Sequence, residues 1–241
     1  MKSGIYDLAP VKNMKELLDA LSRGGRPLEI KVTIPEGFTT MDIADRLYSS
    51  KIVKDKDAFS NYIKPFEGYL FPDTYNFYED MPFDAIVKKF TDRFNEVVPK
   101  DYDELVKTKG LTRKEAIILA SIVEKEAKFD EDRPLVASVF LNRLAIGMPL
   151  QADSTILYAL GTHKEWLSKE DYQIDSPYNT YKYAGLPPTP ICNPGLKSIM
   201  AIPDAPKTDY YYFMTTPDGK AIFAKTLSEH EANLRKYYGG S

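Results

Sequence analysis

Residues 112–127 read TRKEAIILASIVEKEA and give the clearest helix signal in the sequence. Thr112, followed three positions later by Glu115, matches the S/T-x-x-E capping box, and an apolar run comes directly after it. The pattern predicts a helix that begins at this box and continues to about Lys128.

Helix geometry separates the three glutamates of this segment. At about 100° per residue from Glu115, the large apolar side chains centre near ~0–10°, Glu126 falls at about 20° and Glu124 at about 180°. Glu126 is therefore predicted on the buried face and Glu124 in solvent. A carboxyl at the end of an apolar stripe is costly to ionise, so its pKa rises, as a general acid requires. A structural glutamate satisfied by hydrogen bonds or an ion pair fits the same pattern, so the wheel selects the residue and leaves its role open.

A small α/β module is predicted before this helix, over residues 1–62. The segment 8–21 (LAPVKNMKELLDAL) aligns without gaps on 34–47 (IPEGFTTMDIADRL), and in both an extended stretch passes through a proline turn into an amphipathic helix. Residues 29–34 alternate as a strand does, and Thr39 or Thr40 is a suitable N-cap for the second helix.

The remaining residues, 63–241, are predicted to form a larger domain of helices and β-hairpins. Pro82 opens a helix that runs to about Val97, and another begins near Pro134 and ends at Gly147. Dense prolines predict an ordered loop without regular structure over 176–206, followed by a hairpin of 210–214 with 220–224 and a closing helix over 230–238. Helices and hairpins are segregated along the chain, which favours the α+β class.

Composition narrows the function classes. The 241 residues are 43% hydrophobic and 28% charged with a net charge of -3, which does not indicate nucleic acid or an anionic membrane as a partner. Cys192 is the single cysteine, and His163 and His230 lack H-E-x-x-H spacing, which argues against a cysteine-based metal site and a zinc hydrolase. The 17 tyrosines suit sugar faces, but they suit a half-wet core equally well.

Three further segments are candidates for binding. In 151–155 (QADST), Asp153 is expected to cap the next helix, and its functional alternative is a second carboxylate or a hydrogen-bonding group for a sugar. The proline-stiffened loops 176–181 (SPYNTY) and 185–195 (GLPPTPICNPG) are of the kind that lines binding clefts, although they could equally brace the fold.

Several segments together resemble the endolytic murein transglycosylase (YceG-like) family. The matching segments are EGYLFPDTY at 67–75, ASIVEKEA at 120–127, VFLNRL..GMPLQADST at 139–155, SPYNTY at 176–181, GLPPTPICNPG at 185–195, and the C-terminal YYYF with EH at 229–230. The segment 33–47 resembles the LysM-like subdomain of the family, so the resemblance implies a LysM-like module over 1–62 and a catalytic domain over 63–241.

The resemblance implies a lyase that cleaves the β-1,4 bond between N-acetylmuramic acid and N-acetylglucosamine within glycan strands and leaves 1,6-anhydro ends. The catalytic residue is the second glutamate of the EKE triplet, which is Glu126, the residue that the wheel selects. No metal and no cofactor are implied, and an intramolecular hydroxyl replaces the second carboxylate of ordinary glycosidases. The residues expected around the sugar from motif membership are Glu67, Gln151, Asp153, Tyr178 and Asn179.

The partners implied are peptidoglycan glycan strands and peptidoglycan synthases, on the extracytoplasmic face of a bacterial cell membrane. Family members usually begin with a membrane-spanning helix, which is expected to precede these residues in the full-length protein. Ser154 stands where the family commonly has proline, and Thr189 where it commonly has glycine. Two rival functions stay open: a muramidase-type hydrolase with Asp153 as base or nucleophile, and a non-catalytic glycan-binding scaffold.

Overall fold

The computed structural model describes residues 4–162, 164 and 166–239. The helices of this part are α1 Met14–Arg23, α2 Thr40–Ser49, α3 Lys56–Ile63, α4 Phe83–Val97, α5 Tyr102–Lys107, α6 Arg113–Glu126, α7 Arg133–Ala145, α8 Asp153–Leu160, α9 Leu196–Ala201 and α10 Leu227–Tyr238. The strands are β1 Ile30–Thr33, β2 Thr74–Phe77, β3 Tyr212–Thr215 and β4 Ala221–Ala224. Helices packed with two small antiparallel sheets place the chain in the predicted α+β class.

The N-terminal core is built on β1, which pairs antiparallel with β2 while α2 and α3 connect the two strands. Its buried side chains extend from Val32 through Phe59 to Phe90 on α4. The core therefore continues past the predicted division at residues 62 and 63, because β2 and α4 supply part of its apolar surface. That division and the LysM-like description of the module stay predictions.

The two similar N-terminal segments differ in the structure. Helix α2 buries Ile43, Ala44 and Leu47, and Thr39 caps it in a capping box with Asp42. Helix α1 buries none of its residues, and Leu18 is 59% exposed. The alignment of 8–21 on 34–47 thus predicts two helices correctly but does not predict equal packing, since the second helix belongs to the buried cluster that contains β1 and β2 side chains.

Helix α6 is the centre of the larger core. Every residue of 116–123 is buried, and α5, α7, α8 and α9 pack around the helix. A helix that is buried on all sides needs neighbours on all sides, which these shorter helices provide. The predicted capping box of Thr112 and Glu115 is confirmed, and the helix ends at Glu126, two residues before the predicted end.

Three C-terminal predictions can be compared with the structure. The hairpin is confirmed as β3 paired with β4. The closing helix starts at Leu227 rather than at residue 230, because Thr226 and Glu229 form a capping box. The expectation of no regular structure over 176–206 is wrong at α9, a short helix within that segment. Among the described residues, no helix is long and apolar enough to cross a membrane.

Candidate active site

Glu126 is the last residue of α6, and its carboxylate meets the start of α8. The backbone N–H and the hydroxyl of Ser154 both donate to Oε1, over 3.3 and 2.7 Å. Oε2 has no hydrogen-bond partner in the part of the chain that the structure describes. Burial raises the pKa of Glu126, the Ser154 hydrogen bonds oppose this rise, and the neighbouring Asp153 charge adds to it. The site thus contains a carboxyl with a raised pKa and, within the described residues, one oxygen that accepts no hydrogen bond.

The two residues before Glu126 fix the end of α6. The side chain of Glu124 is only 6% exposed; its carboxylate accepts from Gly195 N–H over 2.9 Å and pairs with Arg133 over 3.3 Å. Lys125 donates to the carbonyl of Gly37 over 3.3 Å. The prediction that Glu124 faces solvent is therefore wrong, because Arg133 of α7 compensates a charge that the wheel alone places outside. Both contacts hold the last turn of α6 against other segments.

Gln151 lies on the exposed approach to Ser154 and has an unusual backbone. Its φ is +49°, a left-handed conformation that costs a non-glycine residue roughly 1 kcal/mol or more. Its N–H donates to the carbonyl of Thr180, and the next N–H, of Ala152, donates to the Thr180 hydroxyl, both over 3.1 Å. The strained turn thus places the first residues of α8 beside Glu126. Its exposed side chain leaves a sugar contact for Gln151 as a prediction.

Asp153 does not cap α8, contrary to expectation. It is the first helical residue, and the cap position belongs to Ala152 without a side-chain hydrogen bond. The carboxylate instead accepts hydrogen bonds from the hydroxyls of Tyr181, over 2.6 Å, and of Tyr172, over 3.2 Å. The two tyrosine rings meet edge to face with centroids 4.9 Å apart.

Sequence reasoning did not single out either tyrosine. Tyr181 ends the SPYNTY segment, which the sequence predicts as a candidate binding loop, so its presence in that loop was a signal for it. Nothing in the local sequence of Tyr172 connects it to Asp153, 19 residues earlier. Its role depends on how the loop between them folds, which periodicity does not show.

Asn179 and Tyr178, two residues predicted around the sugar, make contacts within the protein. Asn179 is fully buried, and its amide donates to the carbonyls of Tyr172 and Ile174 while its side-chain oxygen accepts from Tyr181 N–H. It therefore braces the loop that carries both tyrosines, and its contact with the sugar stays a prediction. Tyr178 is half-buried, packs on Tyr158 at 5.0 Å and shares a hydrogen bond of 2.6 Å with Thr189.

Glu67, the remaining predicted contact, is only 3% exposed. Its carboxylate accepts from the N–H and hydroxyl of Thr40, from the Asn193 amide over 2.9 Å and from Tyr158 over 3.4 Å. These donors come from α2, from the loop before α9 and from α8. Glu67 is thus a buried junction between the two cores, and its contact with the sugar stays a prediction.

The stability of the fold is expected to depend on pH through Glu67. Burial raises its pKa from 4.5 to about 7, and the Thr40 and Tyr158 hydrogen bonds oppose that rise. Folding therefore favours the protonated carboxyl, a contribution present in full below pH 4.5 and lost as the pH rises through about 7. Relative to Glu67→Gln, the wild type is expected to lose roughly 3 kcal/mol of unfolding free energy over this range, measured by urea unfolding. A difference between the two proteins that stays constant with pH would contradict this.

Arg143 supplies a buried positive charge near Glu126. Its guanidinium donates to the carbonyls of Tyr211 and Leu150, both over 2.6 Å, and its charge lowers the pKa of Glu126 slightly against the effect of burial. The bond to Leu150 fixes the chain just before Gln151. Sequence analysis placed Arg143 on a helix without a role, since its contacts come from distant segments. His163, considered above as a metal ligand, lies outside the described residues.

The chemistry available at this site is general acid–base catalysis by one glutamate. Glu126 has a raised pKa and, among the described residues, one oxygen without a hydrogen bond, and a second carboxylate with two tyrosine donors stands beside it. These are the features that general acid–base catalysis by a carboxyl uses.

Comparison with known proteins identifies the family. The model of the YceG-like family matches residues 1–236. The endolytic murein transglycosylase of Bacillus subtilis (strain 168) is 37% identical over 98% of this chain and 73% of its own length. The protein of that name from Streptococcus pneumoniae serotype 2 (strain D39) is 32% identical over 98% of this chain, which spans 51% of its length. The crystal structure of a YceG-like protein from Listeria monocytogenes covers 97% of this chain, and the chain covers 85% of that protein, with a TM-score of 0.77 and 37% identity.

The chain belongs to the YceG-like family. The resemblance read from its motifs is thereby confirmed, as is the prediction of an enzyme of the lytic transglycosylase class. The catalytic role of Glu126 and the sugar contacts of the other site residues stay predictions.

Proposed function

We propose that the chain is an endolytic murein transglycosylase that cleaves the bond between N-acetylmuramic acid and N-acetylglucosamine within glycan strands and leaves 1,6-anhydro ends. The observation that carries this proposal is the carboxyl of Glu126, which has a raised pKa, one oxygen held by Ser154 and one oxygen that no described residue bonds. The names of the Bacillus and Streptococcus relatives support the substrate.

In the first step Glu126 acts as a general acid. Because Oε1 accepts from Ser154, the proton resides on Oε2 and passes to the glycosidic oxygen. The bond from that oxygen to the muramyl anomeric carbon breaks, and its electron pair leaves with the N-acetylglucosamine. Positive charge then develops at the anomeric carbon.

In the second step the carboxylate acts as a base. Oε2 takes the proton of the 6-hydroxyl of the same muramyl sugar, and that oxygen bonds to the anomeric carbon to close the 1,6-anhydro ring. Glu126 is then protonated again for the next cleavage. No water is consumed, so water must be kept from the anomeric carbon. The tyrosine-rich, proline-stiffened loops beside α8 support this requirement.

Replacing Ser154 by alanine is expected to change the pH dependence of cleavage. The two Ser154 hydrogen bonds hold the pKa of Glu126 down, so losing the hydroxyl raises that pKa further and moves the basic limb of kcat/KM to higher pH. The maximum of kcat/KM along that profile is expected to fall roughly 2- to 10-fold, the equivalent of one hydrogen bond, because the carboxyl loses the hydroxyl that orients it.

The matched control for this prediction is Ser138→Ala. The Ser138 hydroxyl also makes internal hydrogen bonds, to Pro206 and Thr208, without touching Glu126. A pH profile of Ser154→Ala that overlies those of the wild type and of Ser138→Ala would show that Ser154 does not tune the acid.

Product analysis after digestion of purified sacculi tests the proposed function. Anhydro-ended fragments that lack the elements of water support a transglycosylase. Fragments with reducing ends would replace it by a hydrolase, and binding of sacculi without any release of fragments would replace it by a glycan-binding scaffold.

We further propose that the protein acts in cell-wall assembly on the extracytoplasmic face of the membrane, where murein lies, beside peptidoglycan synthases.

A further inference from the structure

Two carboxylates in contrasting surroundings stand at the start of α8. Glu126 is half-buried and accepts hydrogen bonds from Ser154. Asp153, the residue before Ser154, is exposed. Since Asp153 and Ser154 are consecutive, a single helix start brings both carboxylates together. Pairs of this kind, one carboxyl in an apolar setting and one in a polar, hydrogen-bonded setting, divide into an acid and a permanent anion.

Two phenol hydroxyls hold the Asp153 carboxylate in one orientation. Tyr181 donates to Oδ1 over 2.6 Å, and Tyr172 donates to Oδ1 and Oδ2 over 3.2 and 3.3 Å. These hydrogen bonds remove the rotational freedom that a solvent-exposed aspartate otherwise has, so the carboxylate stays in place.

The tyrosines are themselves fixed by one buried residue. The Asn179 amide donates to the Tyr172 carbonyl over 3.0 Å, and its side-chain oxygen accepts from the Tyr181 N–H over 3.0 Å. Their rings pack edge to face. The buried Asn179 side chain thus fixes the backbone of both tyrosines that hold the exposed aspartate.

We propose that Asp153 is the fixed anion of the active site, which stabilises the positive charge that develops at the muramyl anomeric carbon, and that Tyr172 and Tyr181 are its positioning residues. This inference rests on the proposed function. Asp153 forms no bond and transfers no proton: the glycosidic electron pair leaves with the N-acetylglucosamine, and the oxygen of the 6-hydroxyl supplies the new bond. A preorganised charge at the point where charge develops acts mainly on kcat.

The inference is tested by steady-state cleavage of soluble, uncross-linked glycan strands with the full chain. Asp153→Asn removes the charge and keeps the shape, so kcat is expected to fall about 10²-fold while KM changes less than about threefold. Tyr172→Phe and Tyr181→Phe are each expected to lower kcat roughly 3- to 10-fold. The matched control is Tyr183→Phe, which loses a similar hydrogen bond, to Asp175 over 2.7 Å, outside the cluster; its kcat should equal that of the wild type.

Several results would overturn the inference. A kcat for Asp153→Asn within threefold of wild type would do so, as would a raised KM with unchanged kcat, which would make Asp153 a binding residue only. If Asp153→Asn does not fold, as judged by its thermal unfolding, the two phenylalanine variants decide: unchanged kcat in both contradicts the proposal. If the wild type yields anhydro ends in any of these cases, the proposed function stands. Products with reducing ends from the wild type would instead overturn the proposed function together with this inference.

Discussion

Replacing Glu126 by glutamine is expected to reduce the release of fragments from sacculi by roughly 10³-fold or more, because the amide neither gives nor takes the proton that both steps need. The substitution preserves shape, and the amide oxygen still accepts from Ser154, so the start of α8 should stay in place. The measurement is the initial rate of fragment release, with thermal unfolding to verify the fold.

The matched control for Glu126→Gln is Glu131→Gln, an exposed glutamate in the turn that follows α6. Its rate should equal that of the wild type. If Glu126→Gln kept more than a tenth of the wild-type rate while Glu131→Gln behaved normally, Glu126 would not be the acid.

Replacing Arg133 by methionine is expected to lower the unfolding free energy by about 3–5 kcal/mol, the cost of leaving a buried charge without its partner. The side chains of Arg133 and Glu124 are 8% and 6% exposed, and Arg133 also bonds Asp130 and Ser198. Without Arg133, the Glu124 carboxylate stays buried, and Gly195 N–H is the donor that remains to it among the described residues. Urea unfolding of the two proteins at one pH measures the difference.

Lys197→Met is the control for the Arg133 variant. Lys197 also pairs with Asp130, but it is 66% exposed, and solvent screens the pair. Its loss should cost less than about 1 kcal/mol. Equal losses of unfolding free energy from both substitutions would show that the buried Glu124–Arg133 pair stabilises the protein no more than an exposed pair does.

The helical wheel predicted the burial of one glutamate of α6 correctly and of another wrongly. It selected Glu126 correctly as an inward carboxyl, because apolar periodicity reports which side of a helix faces the core. It placed Glu124 in solvent because a helical wheel contains no information about neighbouring helices. Arg133 of α7 pairs with Glu124 and compensates its charge. Local signals such as the capping box of Thr112 and Glu115 were read accurately, since they depend on residues three positions apart.

The surroundings of Glu126 were harder to predict. Motif membership grouped Glu67 and Asn179 with the sugar site, yet both are buried and make internal hydrogen bonds that brace it. The hydroxyl of Ser154 was noted only as a departure from the usual proline, and the structure turns it into the hydrogen-bond partner of Glu126. Tyr172 and Arg143 could not have been found, because their contacts join segments that are distant in sequence.

The mass of the fragments that the wild-type protein releases from purified sacculi tests the acid–base role of Glu126 in ring closure most directly. Fragments that end in 1,6-anhydro-N-acetylmuramic acid, lighter by one water molecule than the products of hydrolysis, are expected from the wild type and should be lost in Glu126→Gln. Fragments with reducing N-acetylmuramic acid ends, or anhydro ends released equally by Glu126→Gln, would contradict it.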